Sequence, residues 1–189
     1  VATEIGPRLA AEPGLGAAPA AAPASATADA RLVAELTSAG LLVRQVSQSD
    51  ARLVVSVSSP GTALDTTALA ALADAAPAIV DLNLANADLD DAELASIGAL
   101  PAVTHLRLAR NRLTDLGLAD LAALPALVHL NLYGNAGITD SGLAALAASR
   151  TLRETFLWQT AVTPDAAARL REQRPGLVVD VGTPATAAQ

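Results

Sequence analysis

The chain has no cysteine. Disulfides, thiolate metal sites and a cysteine nucleophile are therefore excluded, while the redox compartment stays open. Methionine is missing as well, even at position 1, which leads us to expect a processed form or a piece of something longer. Aromatic residues number only one Phe, one Tyr and one Trp in 189 residues, so any core must be built from Leu, Val and Ala. No apolar run is long enough to span a bilayer. No signal-peptide pattern is legible, so secretion can be argued only indirectly. Basic clusters are absent too. With a formal charge of -7, the partner is expected to be neither nucleic acid nor an anionic membrane surface.

What the chain does have is a recurring L-x-L. Leu84, Leu108, Leu132 and Leu157 follow one another at intervals of 24, 24 and 25 residues. The surrounding text repeats: PAIVDLNLANADLDDAELASI, PAVTHLRLARNRLTDLGLADL, PALVHLNLYGNAGITDSGLAAL and the looser TLRETFLWQTAVTPDAAARL. A period of this length and spelling marks a leucine-rich repeat, one strand and one helix per unit. No unit can bury its apolar edge alone, but stacked units share a continuous core. The expected fold is therefore α/β: a right-handed leucine-rich-repeat solenoid with a parallel sheet on the concave face and helices on the convex face. Ile79, Leu82 and Leu84 are expected to point inward, as are Val103, Leu106 and Leu108, then Leu127, Leu130 and Leu132, then Leu152, Thr155 and Leu157. Leu89, Leu113, Ile138 and Val162 follow. Helices then start at Asp90-Asp91, Thr114-Asp115, Thr139-Asp140 and Thr163-Pro164, where small polar residues cap free N–H groups and Pro164 suits a first turn. Glu93 is placed to complete a capping box with Asp90. The helices are expected to bury Leu94 and Ile97, Leu118 and Leu121, Leu143 and Leu146, and Leu170.

The flanks differ from the repeats. Residues 1–29 are rich in Ala and Pro and read as a linker or tether. Residues 30–76 read as an N-terminal cap and an irregular first repeat. Within them a helix is expected over Ala30–Ala39, strands over 41–46 and 51–58 joined by the turn SQSD, a turn at Pro60-Gly61 and a helix over Asp65–Ala75. Residues 77–182 hold the four repeats and a closing strand, LVVDV, at 177–181. Residues 183–189 form a tail.

LNLYGNAGITDSGLAAL followed by TFLWQTAVT resembles the ribonuclease-inhibitor-like class of bacterial repeats. With AGLLVRQVSQSDARLVVS at 39–56, the chain is similar over about residues 30–182 to the C-terminal repeat domain of bacterial c-type cytochrome-domain membrane proteins. Those relatives carry C-x-x-C-H for covalent haem, which a chain without cysteine cannot supply. The resemblance thus implies a haem-free repeat module, located outside the cytoplasmic membrane and serving a larger membrane-associated assembly such as a redox complex.

Alternation along each strand places the residues between the leucines on the concave face. Four columns result: Asp81, His105, His129 and Glu154; Asn83, Arg107, Asn131 and Phe156; Ala85, Ala109, Tyr133 and Trp158; Asn86, Arg110, Gly134 and Gln159. All three aromatic residues fall in these columns, where Tyr, Trp and Phe usually anchor interfaces. Tyr133, Phe156, Trp158, Gln159, Asn131, Arg107, Arg110, His105 and His129 are the expected contacts for a protein partner. Coverage of the aromatic shelf by a C-terminal loop or the final strand is the bland alternative. A sugar-stacking shelf is disfavoured because no carboxylate–amide cluster is evident beside it. His105 and His129 lie on neighbouring strands about 4.8 Å apart. With a carboxylate they offer a possible Zn site, but a solvated polar ladder with mild pH sensitivity is the preferred reading. Arg107 and Arg110 can serve a partner's carboxylates or pair with Asp81 and Asp115.

No catalytic set is legible. There is no phosphate-binding Gly loop and no nucleophile elbow, and the acidic residues gather at helix starts where capping accounts for them. The sequence therefore points to a non-catalytic interaction or structural subunit without a cofactor or a bound metal. A small-ligand or glycan receptor and a metal site at the histidine pair are the alternatives.

Overall fold

The computed structural model describes residues 29–182, except Pro60, Thr62, Gly98, Ala99 and the side chain of Ile97. The tether expected over 1–29 (all but Asp29), Pro60 of the expected turn, the inward placement of Ile97 and the 183–189 tail lie outside the described residues.

Asp29 accepts from the Arg31 N–H and opens α1 (Ala30–Ser38), which buries Leu36. Gly40, at φ +80°, supplies the left-handed turn into β1 (Leu41–Ser47). Gln48 and Ser49 then reverse the chain into β2 (Asp50–Val57). A connection this short permits only antiparallel pairing, and Leu41 indeed faces Val57. Asp65 caps α2 (Thr66–Ala75). The repeats follow as β3 (Ile79–Asn83), α3 (Asp91–Ile97), β4 (His105–Arg107), α4 (Leu118–Ala122), β5 (His129–Asn131), α5 (Leu143–Ala148), β6 (Glu154–Phe156), α6 (Pro164–Gln173) and β7 (Val178–Asp180). A 3-10 turn, Asp140–Gly142, leads into α5.

The seven strands lie side by side in chain order. From β2 onward every pairing is parallel, and β1 adds an antiparallel edge. Chain-order neighbours with a helix between them are what a solenoid requires. Leu82, Leu106, Leu130, Thr155 and Val179 stand in register, and behind them the other ladder leucines are buried nearly without exception. Burying one Leu contributes about 1.5–3 kcal/mol, so the ladders carry the fold. Val162 is the weak member, half-buried at the last inward position.

Thr155 departs from the pattern. It stands between Leu130 and Val179, fully buried, and its hydroxyl has no hydrogen-bond partner. An unpaired buried hydroxyl costs about 1–3 kcal/mol. Thr155→Val keeps the branched shape and removes that cost. It is expected to stabilise the protein by about 1 kcal/mol, read as a higher urea midpoint with an unchanged slope.

Two polar ladders stitch the coils together. Buried Asn111 and Asn135 occupy equivalent turns. Asn135 Nδ2 donates to the carbonyls of Leu108 and Leu132, and its Oδ1 accepts from the N–H groups of Asn111 and Leu113. Asn111 does the same one coil earlier, with the carbonyls of Leu84 and Leu108 and the amides of Ala87 and Leu89. At the helix starts each threonine is clasped by the aspartate of the preceding coil. Asp115 accepts from Thr139 N at 2.7 Å and Oγ1 at 2.6 Å. Asp91 holds Thr114 in the same way, and Asp140 holds Thr163. The threonine hydroxyls then cap Leu116, Ser141 and Ala166 N–H. Asp90 and Glu93 form the reciprocal capping box, with Glu93 Oε2 accepting from Asp90 N.

Candidate functional site

The outward face of the sheet is built by the residues that alternate with the leucines. One row runs Asp81, His105, His129, Glu154, Val178, and the next runs Asn83, Arg107, Asn131, Phe156, Asp180. Both rows lie within strands. The expected third and fourth columns do not, because β4, β5 and β6 are only three residues long. They sit in the turn that carries the chain off the sheet. Asn86, Arg110 and Gln159 have φ of 57°, 54° and 53° there, and Gly134 has 74°. A sharp exit from the sheet needs the left-handed conformation at this point, and only one of the four coils fills it with glycine.

In the first row the His105 and His129 rings stack, with centroids 4.4 Å apart and planes 14° apart. His129 Nδ1 lies 2.8 Å from Glu154 Oε2, so that nitrogen carries the proton it shares with the carboxylate. Thr104 Oγ1 donates its only proton to the Val80 carbonyl, so His105 Nδ1 must be the donor in its 2.9 Å contact with that hydroxyl. A ligating imidazole holds its metal in the plane of the ring. Stacked, nearly parallel rings do not converge on one ion, and Glu154 is turned to His129 Nδ1 instead. The pair is thus arranged as a stack joined to neighbouring side chains.

Burial, and then the neighbouring His129, push the His105 pKa below its ordinary value; Arg107 acts in the same direction and Asp81 opposes. A depressed imidazole pKa means that the unfolded chain takes up its proton first as pH falls. This contribution to stability is full above the ordinary imidazole value and is lost as pH falls through the folded one. The thermal midpoint is therefore expected to drop as pH falls below about 7 and through the lowered imidazole value. His105→Gln should flatten that drop, as followed by circular dichroism; an equal decline in the variant would assign the effect elsewhere.

Arg107 is committed to Asp81, Nη1 to Oδ1 at 2.6 Å. Arg110 pairs with no acid among the described residues. It lies over the Tyr133 ring, 5.3 Å from the centroid, and its Nη2 donates to the tyrosine hydroxyl at 3.3 Å. Asp115, the other anticipated acid, is occupied by Thr139.

Besides a hollow toward β2 lined by Val54, Ser56, Asp81, Asn83 and Arg107, two hollows open on this face among the described residues. One, of about 300 Å³, is lined by His105, Arg107, His129, Asn131, Glu154 and Phe156, with the backs of two leucines. The other, of about 290 Å³, is lined by Asn131, Tyr133, Phe156, Trp158 and Asp180. Eight of the nine expected contact residues thus line a hollow or, as Arg110 does, brace one that does. Gln159 lines neither. Trp158 remains 45% exposed, although the C-terminal strand holds it: Nε1 donates to Asp180 Oδ1 at 2.6 Å, and the indole packs on Gly182, where a Cβ would come within 2.9 Å. Coverage by the last strand is therefore real but one-sided.

Sequence reasoning missed Asp180. It takes the place that Phe156 holds one coil earlier, and extending the columns into LVVDV would have exposed it. With Asn131 it also supplies the carboxylate and amide that the sequence did not show beside the aromatic shelf.

The family model for the leucine-rich repeat matches residues 100–122 and 124–147. The chain carries leucine-rich repeats. The matched stretches are the two coils that hold His105, Arg107, His129, Asn131 and Tyr133, so the best-matched leucine-rich repeats form the middle of the face. Such repeats commonly mediate protein–protein contact and are typically non-catalytic. No curated protein matches the chain. No helix among the described residues is long and apolar enough to cross a membrane.

Proposed function

We propose that this protein is a non-catalytic docking subunit that holds a protein partner against the outward face of its repeat sheet. The observation that carries the reading is the placement of Tyr133, Phe156 and Trp158. A chain with three aromatic residues puts all of them on one open face, lining a hollow, and builds its core without them. Aromatic side chains left at a surface are the usual anchors of an interface. The chemistry-bearing residues elsewhere have structural uses: Asp91, Asp115 and Asp140 clasp threonines, and Asp90 and Glu93 cap a helix. Nucleic acid is a poor fit for a chain of charge -7 whose Arg107 is already paired. The resemblance of residues 30–182 to extracytoplasmic repeat domains supports a periplasmic or otherwise extracytoplasmic site, in a membrane-associated assembly, such as a redox complex, that this subunit braces without carrying electrons.

The test is retention of a partner from native membranes, identified by mass spectrometry. Combined Tyr133→Ala and Phe156→Ala substitutions should weaken retention at least tenfold and leave the circular dichroism spectrum unchanged. Alanine at Arg169 and Gln173, on the helical side, should leave retention intact. Equal retention by both variants would remove the sheet face from the interaction. A glycan receptor is the second reading, favoured by Asn131 and Asp180 beside the exposed indole; saturable shifts of Trp158 emission with monosaccharides would support it.

A further inference from the structure

The hollow at the C-terminal end of the sheet has a composition that selects for charge. Three of its five lining residues are Tyr133, Phe156 and Trp158, and a fourth is the Asp180 carboxylate. Aromatic rings present negative faces, and several of them around one space attract a weakly hydrated cation. Resting on the docking reading above, we infer that this hollow receives a basic side chain of the partner, arginine or lysine, with its cation against the rings and Asp180.

Several features converge on that occupant. Asp180 Oδ1 already accepts from Trp158 Nε1 and from the Gly182 N–H, at 2.6 and 2.9 Å. Its Oδ2 accepts from no donor among the described residues, so the carboxylate is anchored by one oxygen and free at the other. The same bonds fix the indole against Gly182, and it lines the hollow while 45% exposed. Rigid walls reduce the ordering cost of binding. The chain also shows the interaction internally, because Arg110 lies over Tyr133 from the preceding coil. Neither Arg110 nor Arg171, whose guanidinium donates to the Val179 carbonyl, lines the hollow. A net charge of -7 favours the approach of a basic partner over an acidic one. A neutral sugar would use the rings and donate a hydroxyl to the free carboxylate oxygen, but only a cation gives that oxygen a charge-assisted bond, which is roughly twice as strong.

Trp158 is the only tryptophan, so its emission reports on this hollow alone. The full chain is titrated at fixed ionic strength with Nα-acetyl-arginine methylamide and with the citrulline analogue, which keeps the shape and lacks the charge. Tetramethylammonium serves as a second cation, and a panel of monosaccharides as the neutral arm. We expect saturable quenching by both cations and an affinity for citrulline about tenfold weaker than for arginine. Asp180→Asn retains an oxygen for the indole N–H and should lower arginine affinity about tenfold while leaving citrulline unchanged. Phe156→Leu provides an independent variant should Asp180→Asn unfold.

Equal responses to arginine and citrulline, or no loss in either variant, would overturn the assignment. A response to sugars without one to cations would overturn it as well and give the hollow to a glycan. If the partner is retained by the wild type and by Asp180→Asn, but lost with Tyr133→Ala and Phe156→Ala, the docking face stands and only the cation site fails.

Discussion

Asn135→Ala is expected to lower the unfolding free energy by roughly 3–5 kcal/mol. The side chain is wholly buried and makes four hydrogen bonds to the backbone of two coils. Alanine leaves the Asn111 and Leu113 amides without their acceptor, in an interior lined by leucines. The two carbonyls fare better, since Leu108 O keeps Asn111 Nδ2 and Leu132 O keeps the backbone N–H of residue 135. Two stranded amides at about 1–3 kcal/mol each give most of the effect. Set against a total stability of about 5–15 kcal/mol, the loss is large. Urea denaturation followed by circular dichroism measures it. A change under about 1 kcal/mol would mean that water substitutes for the amide.

This ladder shows where sequence reasoning stops. The leucines were legible because a single period fixes both their strand face and their burial, and the coils stack in the expected order. Asn111 and Asn135 sit in the same period, but ARNRLTD and YGNAGITD read as ordinary polar turns. Burial of a polar residue is decided by what surrounds it, and local composition does not reveal that. Of the aromatic shelf, Phe156 was legible by the same alternation that placed the leucines, whereas Tyr133 and Trp158 reach the face from the turn beyond their strands. Asp180 was not, because it comes from a strand outside the clear repeats. The pairing of Arg107 with Asp81, and of Arg110 with a ring instead of an acid, needed distances. So did the left-handed turn: Arg110 and Gln159 carry no mark of a positive φ, whereas Gly134 does.

Gly142→Ala is expected to cost roughly 2–3 kcal/mol. The backbone at Gly142 is ordinary for a helix start, with φ -70° and ψ -21°, so conformation is not the reason. Space is. A Cβ there would collide with Asp115 Oδ1 and come within 2.6 Å of Leu118 Cδ1. The aspartate cannot swing aside without releasing Thr139, and the leucine is packed in the core. Gly117 stands one coil earlier in the same relation to Asp91 and Leu94. The recurring T-D-x-G is thereby explained as one joint: threonine starts the helix, aspartate reaches forward to the next coil, and glycine makes room for the aspartate reaching from behind. Thermal unfolding of Gly142→Ala separates crowding from helix preference, because preference alone would make alanine stabilising by up to about 1 kcal/mol. A midpoint equal to or above that of the unsubstituted protein would remove the steric account.

The clasp has a further consequence. Each of the two middle coils contributes one aspartate forward and receives one from behind, and its ladder asparagine reaches back to a carbonyl of the coil before it. The connectors at the two ends of a coil are therefore mates of one another. Excising one whole 24-residue unit brings Asp91 opposite Thr139 and Leu84 O opposite Asn135, remaking the joints that were cut. Lengthening or shortening such an array changes how much face it presents without requiring a new kind of junction.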